Sequence, residues 1–587
     1  MSIQSAPLLG RFSQLLTGLL CGVMAISAVM GESVTEAEEK VWPLRFGVDD
    51  AGGPFSVRDF PWAAEMFSEL GFDLWVSHFL PPAGRWGTQE QLLRYHEEQG
   101  IDLNIPGFED TPRMAMAAHY IRDMEAFCQE HGLHWIINLE SANWIESFLD
   151  DKGRDWFRRD DGRQYFKFPP ELIAELADTE NLLGLMYDEA EHMQSTSDPE
   201  RAERHGIAGL GRPFMYDPAG DVLTDAADGL AEAAADARRV YEDTGLSLYT
   251  EHVFPIMFHP FARAGYVAAP KILKESWSPI VIAQAMGAAI QYDTELWITP
   301  DLWFPGTYPG HSVEEYRSAL LLAYHMGADC IYTENLAFDH NNQGIGSLIL
   351  YDDDRYEVTP YGEVTKWFIH DYVPAHPRHY SFRELKPRIA IIRQEDGCYG
   401  QATAWLPDTL FGHPEWQSTL ETEAWFKLWH LLSLGVVPAD TLSWHAGSMA
   451  RRSYQVFAPL DGVVVFDHHV RKKHFAEADL IILTGIGVSE ATLADVAERV
   501  REGAVCIGMH ALLPESVQAE TGENGSFEDG AGRWIATTDF LAPHVRQAII
   551  PFLPQHDRIR YRFGDHEVHI RPIDDDLDRL EASVHRD

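Results

Sequence analysis

Positive charge is what this sequence is short of. Its 587 residues carry 46 lysines and arginines against 91 acids, a formal net charge of -45. That balance repels phosphate backbones and excludes nucleic acid as a partner. It also favours solubility. Cysteine is scarce as well, at five residues. Beyond the first segment only Cys128, Cys330, Cys398 and Cys506 remain, too scattered for a zinc site or a disulfide framework. Buried thiols are the expectation, with no metal and no cofactor. Long apolar runs are missing after the first thirty or so residues, which leaves no integral membrane span once a leader is removed. The leader itself is readable. Arg11 precedes the apolar run from Leu15 to Met30, and Val29-Met-Gly31 offers a cleavage site. Residues 1–31 are therefore expected to be a signal peptide, and the mature chain secreted or periplasmic.

What is present is a folded chain, 45% hydrophobic and too long for one ordinary domain. One phrase recurs: a helix ends on a glycine and a strand follows. Gly71, Gly100, Gly132 and Gly245 all stand at such junctions, where glycine tolerates the left-handed turn. Ser312-Val-Glu-Glu315 reads as a capping box opening a helix. Eight strands are predicted near 44–48, 72–78, 101–105, 134–139, 182–187, 246–250, 296–299 and 329–333. Helical patterns separate them, so residues 41–375 read as a TIM (β/α)8 barrel. Pro374 to Pro387 reads as a link. A smaller open α/β domain of the flavodoxin or amidotransferase type is expected over 388–518. A short β tail follows over 533–587, with a hairpin turning at Gly564-Asp565.

The predicted strand ends are acidic. The stretch Leu182-Leu-Gly-Leu-Met-Tyr-Asp-Glu189 is a buried-strand pattern that ends in two carboxylates. Asp49, Glu140, Glu251, Asp301 and Glu334 occupy the same place on other strands. Singly, each reads as a helix cap or an ion-pair partner. Together they converge on the rim where a barrel keeps its active site. Trp144, Trp303, Tyr308 and Tyr332 share these loops, and flat aromatic faces beside acids suit sugar rings. Two carboxylates across such a pocket can protonate a glycosidic oxygen and attack the anomeric carbon, or activate a water there.

These residues resemble a known group. The barrel with acidic strand ends looks like the (β/α)8 glycoside hydrolases. The second-domain segments Ala478-Asp-Leu-Ile-Ile-Leu-Thr-Gly485 and Val500-Arg-Glu-Gly-Ala-Val505 are similar to a glutamine-amidotransferase-like domain. Family 42 β-galactosidases join the two. The resemblance implies an Asn-Glu acid/base pair on strand four and a glutamate nucleophile on strand seven. Here the counted strand four carries Asn138-Leu-Glu140 and strand seven carries Asp301. Asp188-Glu189 also resembles the Asp-Glu pair of hexosaminidases.

The expected function is secreted glycoside hydrolysis of an oligo- or polysaccharide. The expected acid is Glu189, with its pKa raised by Asp188 and Glu251. The expected nucleophile or base is Glu334, and the alternative pair is Glu140 with Asp301. Trp144, Trp303, Tyr308, Asn335, His252 and Asp49 are the expected substrate contacts. Cys506 falls inside a strand, so the second domain is expected to pack on the barrel or form a homo-oligomer contact without chemistry of its own. Two other readings stay open. One is a metal-dependent barrel hydrolase using Glu191, His192 and His252. The other is a non-catalytic carbohydrate-binding protein.

Overall fold

The computed structural model describes residues 40–50, 60–78, 112–138, 156–158, 164–166, 170–195, 216, 218, 220–302, 311–339, 346–401, 409–443 and 456–586. Val41–Asp587 form one unit. At its centre eight parallel strands close a barrel. They are β1 (Arg45–Asp49), β2 (Leu74–His78), β3 (His134–Asn138), β4 (Leu182–Asp188), β5 (Ser247–His252), β6 (Tyr266–Ile272), β7 (Trp297–Pro300) and β8 (Cys330–Glu334), and β8 pairs back onto β1.

The barrel corrects the strand count. Tyr266–Ile272 is a barrel strand that the sequence reading passed over. The 101–105 segment lies outside the described residues, and β2 pairs directly with β3, so nothing stands between them. The strand ending in Asp188 is therefore the fourth, not the fifth, and the strand ending in Glu251 is the fifth.

Strand alternation fills the barrel. Leu74, Val76, Ile136, Met186, Tyr249, Val267, Ala269, Trp297, Cys330 and Tyr332 form one buried interior cluster. Tyr332 belongs here, edge-on to Trp297 at 6.0 Å between ring centroids, and not to the mouth aromatics. Gly184 makes room for Tyr249: a Cβ there would meet the Ser247 carbonyl oxygen at 2.0 Å and the Tyr249 ring at 2.8 Å. The expected junction glycines Gly71, Gly132 and Gly245 all adopt positive φ, at 86°, 67° and 71°. Ser312 caps its helix, accepting from the Glu315 amide at 3.0 Å.

The second domain is a six-stranded sheet in the order Val463–Phe466, Ile389–Gln394, Leu480–Gly485, Val505–Met509, Gly532–Thr537 and Ser526–Asp529. Its last two strands lie beyond residue 518. Gly532–Thr537 pairs in parallel with Val505–Met509, so it completes this sheet and does not start a tail. The β tail begins later, as the antiparallel strands Ile559–Phe563, His566–Pro572 and Leu580–Arg586 joined to Leu460–Asp461. The 374–387 stretch is packed: Arg378 donates to the carbonyls of Tyr324 and Ala328. The second domain also sits tightly on the barrel. Helix Ser278–Tyr292 crosses Val463–Phe466 so closely that a Cβ on Gly287 would meet the Val465 carbonyl oxygen at 1.6 Å.

Candidate active site

Two residues along each strand return to the same face, so the last inward position of each barrel strand lies in one layer. That layer holds Asp49, Asn138, Asp188, Glu251, Lys271 and Glu334, and Asp301 joins it by a bridge to Glu334 just past β7. All are buried. Asp49 is in register with Glu334, and Asp188 with Glu251. Asn138 donates to Asp188 at 3.2 Å.

Lys271 organises the layer, and the sequence reading missed it. Its Nζ lies 2.8 Å from Glu334, 3.5 Å from Glu251, 3.6 Å from Glu189, and 3.8 Å from both Asp188 and Asp301. Lys274, one turn of chain later, reaches Asp301 at 3.0 Å. Burial opposes a charged Lys271, but Asp188, Glu251, Glu334 and Glu189 outweigh it and keep the ammonium charged. The signal was present in the sequence. Gly265, at φ 89°, precedes an apolar run, as at the other junctions. Pro270 and a lysine amid that run hid the strand.

The acids differ in protonation. Burial pushes the Glu334 carboxyl well above its ordinary value, Asp301 pushes the same way, and Lys271 and Lys274 do not cancel them. Burial also raises Glu251 against the pull of Lys271, helped by Asp188, Glu334 and Asp49. Glu189 goes the other way. Burial would raise it, but the bond from His192 and the charges of Lys271 and Lys274 hold it at about 2. This is opposite to the raised Glu189 expected from its acidic neighbours. The two glutamates shift in opposite directions: Lys271 and Lys274 act on both, but Glu189 also has the His192 bond, and the like charge of Asp301 falls on Glu334.

Glu189 is fixed locally. Its φ of 49° turns the chain sharply off β4, and its amide donates to the Glu251 carbonyl at 2.9 Å. Its Oε2 meets His192 Nδ1 at 2.9 Å. His192 packs on Phe254, and Phe254 stacks on Tyr399 of the second domain, at 4.6 Å and 4.7 Å between centroids. Glu395 of the same domain accepts from the Met257 amide at 3.1 Å. A second-domain loop thus braces the loops that follow β4 and β5.

Other expected residues fall elsewhere. Glu140, Trp144, Trp303 and Tyr308 lie outside the described residues. Asn335 follows Glu334, buried and at φ 77°. His252 lies apart from the acidic layer. It alternates with Glu251 and so leaves the barrel outward, where it stacks on Phe258. Its ring nitrogens face Thr250 Oγ1 at 2.8 Å and the Ile256 carbonyl at 3.0 Å, and burial lowers its pKa to about 3. Both nitrogens are engaged, so the Glu191–His192–His252 metal set does not assemble. Glu191 instead accepts from the Phe254 amide at 2.8 Å. Asp228, His468 and His469 bring metal-ligating atoms together at the domain junction. Arg263 already donates to the same Asp228 oxygen at 2.6 Å, which makes the cluster an ion-pair node.

Cys128, Cys330, Cys398 and Cys506 are buried free thiols. Among the described residues, no helix is long and apolar enough to cross a membrane.

No protein-family model matches the chain, and no curated protein sequence matches it. Solved structures do. A β-galactosidase from Bacillus circulans sp. alkalophilus is 11% identical, over 91% of this chain and 93% of that one, with a TM-score of 0.53. A β-galactosidase from the Antarctic haloarchaeon Halorubrum lacusprofundi gives 10% identity, 92% and 99% coverage, and a TM-score of 0.53. One from the psychrophilic Marinomonas ef1 gives 9%, 90% and 95%, and 0.51. At these identities the likeness is one of fold: the chain is a TIM-barrel protein that resembles these β-galactosidases in fold over most of its length.

Proposed function

We propose that the chain is a secreted glycoside hydrolase that cleaves an O-glycosidic bond with two carboxylates of the β-strand rim. The observation that carries the reading is that Glu189 and Glu334 meet across one ammonium, with Glu189 held below the ordinary glutamate range and Glu334 pushed above it. Opposed protonation states are what acid and nucleophile need. Glu334 donates its proton to the leaving oxygen, and Glu189 attacks the anomeric carbon. Both carboxylates lie on Lys271, at 2.8 Å and 3.6 Å. A carboxylate that attacks directly forms a glycosyl-enzyme, which water then cleaves with net retention. The reading is retention. The second domain serves as a brace without an active site of its own.

The corrected strand count favours a second pairing, Glu189 with Asp301, because these now end strands four and seven. The test is a panel of aryl β-glycosides, galactoside first, assayed with the exported protein and with Glu189→Gln, Glu334→Gln and Asp301→Asn. Losses of about a hundredfold or more in the first two carry the proposal. Full activity in Glu334→Gln beside an inactive Asp301→Asn moves the assignment to Asp301. Absence of activity on every glycoside, or inversion by NMR of the first product, counts against the reading.

A further inference from the structure

A cavity of about 310 Å³ opens where the 374–387 stretch, the second domain and the β tail meet. It stands at the N-terminal ends of strands Ile389–Gln394, Val463–Phe466 and Leu480–Gly485, the edge opposite the loops that brace the barrel. In a chain of 91 acids and 46 bases, its lining holds four cations and four carboxylates. Most of these charges are spent on one another. Arg388 and Arg560 share Asp461, with Arg560 Nε donating to it at 2.8 Å. Glu567 meets His569 at 2.5 Å and Arg560 at 3.8 Å. Asp479 faces Arg388 at 3.9 Å, and Arg562 is engaged as well. Two charges are left over. The half-buried Lys386 ammonium and the exposed Glu477 carboxylate have no hydrogen bond or ion pair among the described residues, and they stand too far apart to pair with each other.

The balance of charge decides what fits. With equal numbers of each sign, the lining as a whole draws in neither an anion nor a cation. A simple anion would meet Glu477, and a simple cation would meet Lys386. A sugar ring would want an aromatic face. The aromatic residue of the lining, Tyr561, alternates with Arg560 and Arg562, so its ring is turned into the core, with its hydroxyl on the Val463 carbonyl at 2.7 Å. A ligand that carries both charges satisfies both free groups at once. The volume is at the lower end for small-molecule sites, enough for a molecule the size of an amino acid.

We propose that this cavity binds a small zwitterion of the amino-acid class, with Lys386 donating to its carboxylate and Glu477 accepting from its ammonium. Such a ligand touches both the 374–387 stretch and the second domain, so it holds them together at the foot of the β tail. The inference does not depend on the glycoside hydrolase reading, because the cavity lies at the far edge of the second domain from the barrel mouth.

The experiment is calorimetric titration of the full chain at neutral pH with glycine, β-alanine and γ-aminobutyrate, whose two charges are set progressively farther apart. Acetate and methylammonium, each with one of the charges, are the controls. At least one zwitterion should bind about tenfold or more tighter than either control. Lys386→Met and Glu477→Gln should each weaken that binding by about tenfold to a hundredfold, the worth of a hydrogen bond to a charged group. Glu477 is exposed, so Glu477→Gln tests the site even if Lys386→Met fails to fold. Three results would overturn the site: no binding of any zwitterion at about 10 mM, a control that binds as tightly as the zwitterions, or binding that Glu477→Gln leaves unchanged. None of them touches the glycosidase reading.

Discussion

His192 holds Glu189 across one helical turn, Nδ1 to Oε2 at 2.9 Å, in the short helix Ala190–Ser195 that leaves β4. The bond links the carboxylate proposed as nucleophile to a ring that is itself packed on Phe254 and, through it, on Tyr399 of the second domain. The strand end, the helix and the accessory domain therefore act on one oxygen.

His192→Phe keeps a ring against Phe254 and removes the bond. Glu189, at about 2 in the wild protein, should then move up toward the usual glutamate range, because burial raises it once the bond is gone. Since Glu189 must be ionised to attack, the acid limb of kcat/KM should rise by more than about one pH unit and enter roughly pH 4–6. The pH-rate profile checks it. A limb that stays in place would mean Lys271 alone sets the ionisation.

Gly287→Ala reverses an ordinary rule. In an exposed helix the change stabilises by up to about 1 kcal/mol. Here the new methyl would collide with the Val465 carbonyl of the second domain, so helix Ser278–Tyr292 and strand Val463–Phe466 must separate. A loss of about 1–3 kcal/mol in urea unfolding is expected, as for other overpacked cores. An unchanged or raised midpoint would show that the two domains can slide apart freely.

The sequence made the barrel legible because its signals were local. Gly71, Gly132 and Gly245 each closed a helix before a strand, and each strand ended in a polar residue. Pro270 and Lys271 defeated the same logic on β6, since a proline and a buried cation both argue against an interior strand. That omission concealed the counter-ion of the whole site, while the extra strand expected at 101–105 placed Asp188 on the fifth strand. The protonation states were not legible for a related reason. Which way a buried glutamate shifts depends on the groups the fold brings to it, and Asp301, which raises Glu334, is 33 residues from it in the chain. His252 shows the opposite case, in which alternation alone should have turned it away from Glu251.

Buried histidines give a pH test of stability. His325 lies between Tyr380 and Tyr372, at 3.0 and 2.7 Å, and burial, with Arg378 and His376 nearby, lowers its pKa to about 3. Unfolded, it would titrate near 6.5. Its folded form is neutral, so stability is full above about pH 6.5 and is lost as pH falls toward 3, by up to about 1.4 kcal/mol per unit. Raised acids such as Glu334 work in the opposite direction, so the whole-protein profile mixes signs. The difference between wild type and His325→Gln isolates the histidine. The wild type should be the more stable at pH 8, and the gap should close steadily below pH 6.5. A gap that is constant with pH would mean that His325 takes up its proton inside the fold.

Cys506 tests the second domain. It lies on Val505–Met509, which pairs with a strand on each side, and its thiol is fully buried. Burial raises its pKa far above the thiol range, so almost none is thiolate at neutral pH. An amidotransferase nucleophile needs the reverse, an exposed turn and a base beside it. Cys506→Ala should therefore leave glycoside turnover unchanged and cost about 1 kcal/mol of stability from the lost packing. In the native protein, thiol reagents should not label the position until the chain unfolds. Rapid labelling at pH 7, or a glutaminase activity abolished by Cys506→Ala, would assign chemistry to a domain whose described contacts serve to brace the barrel.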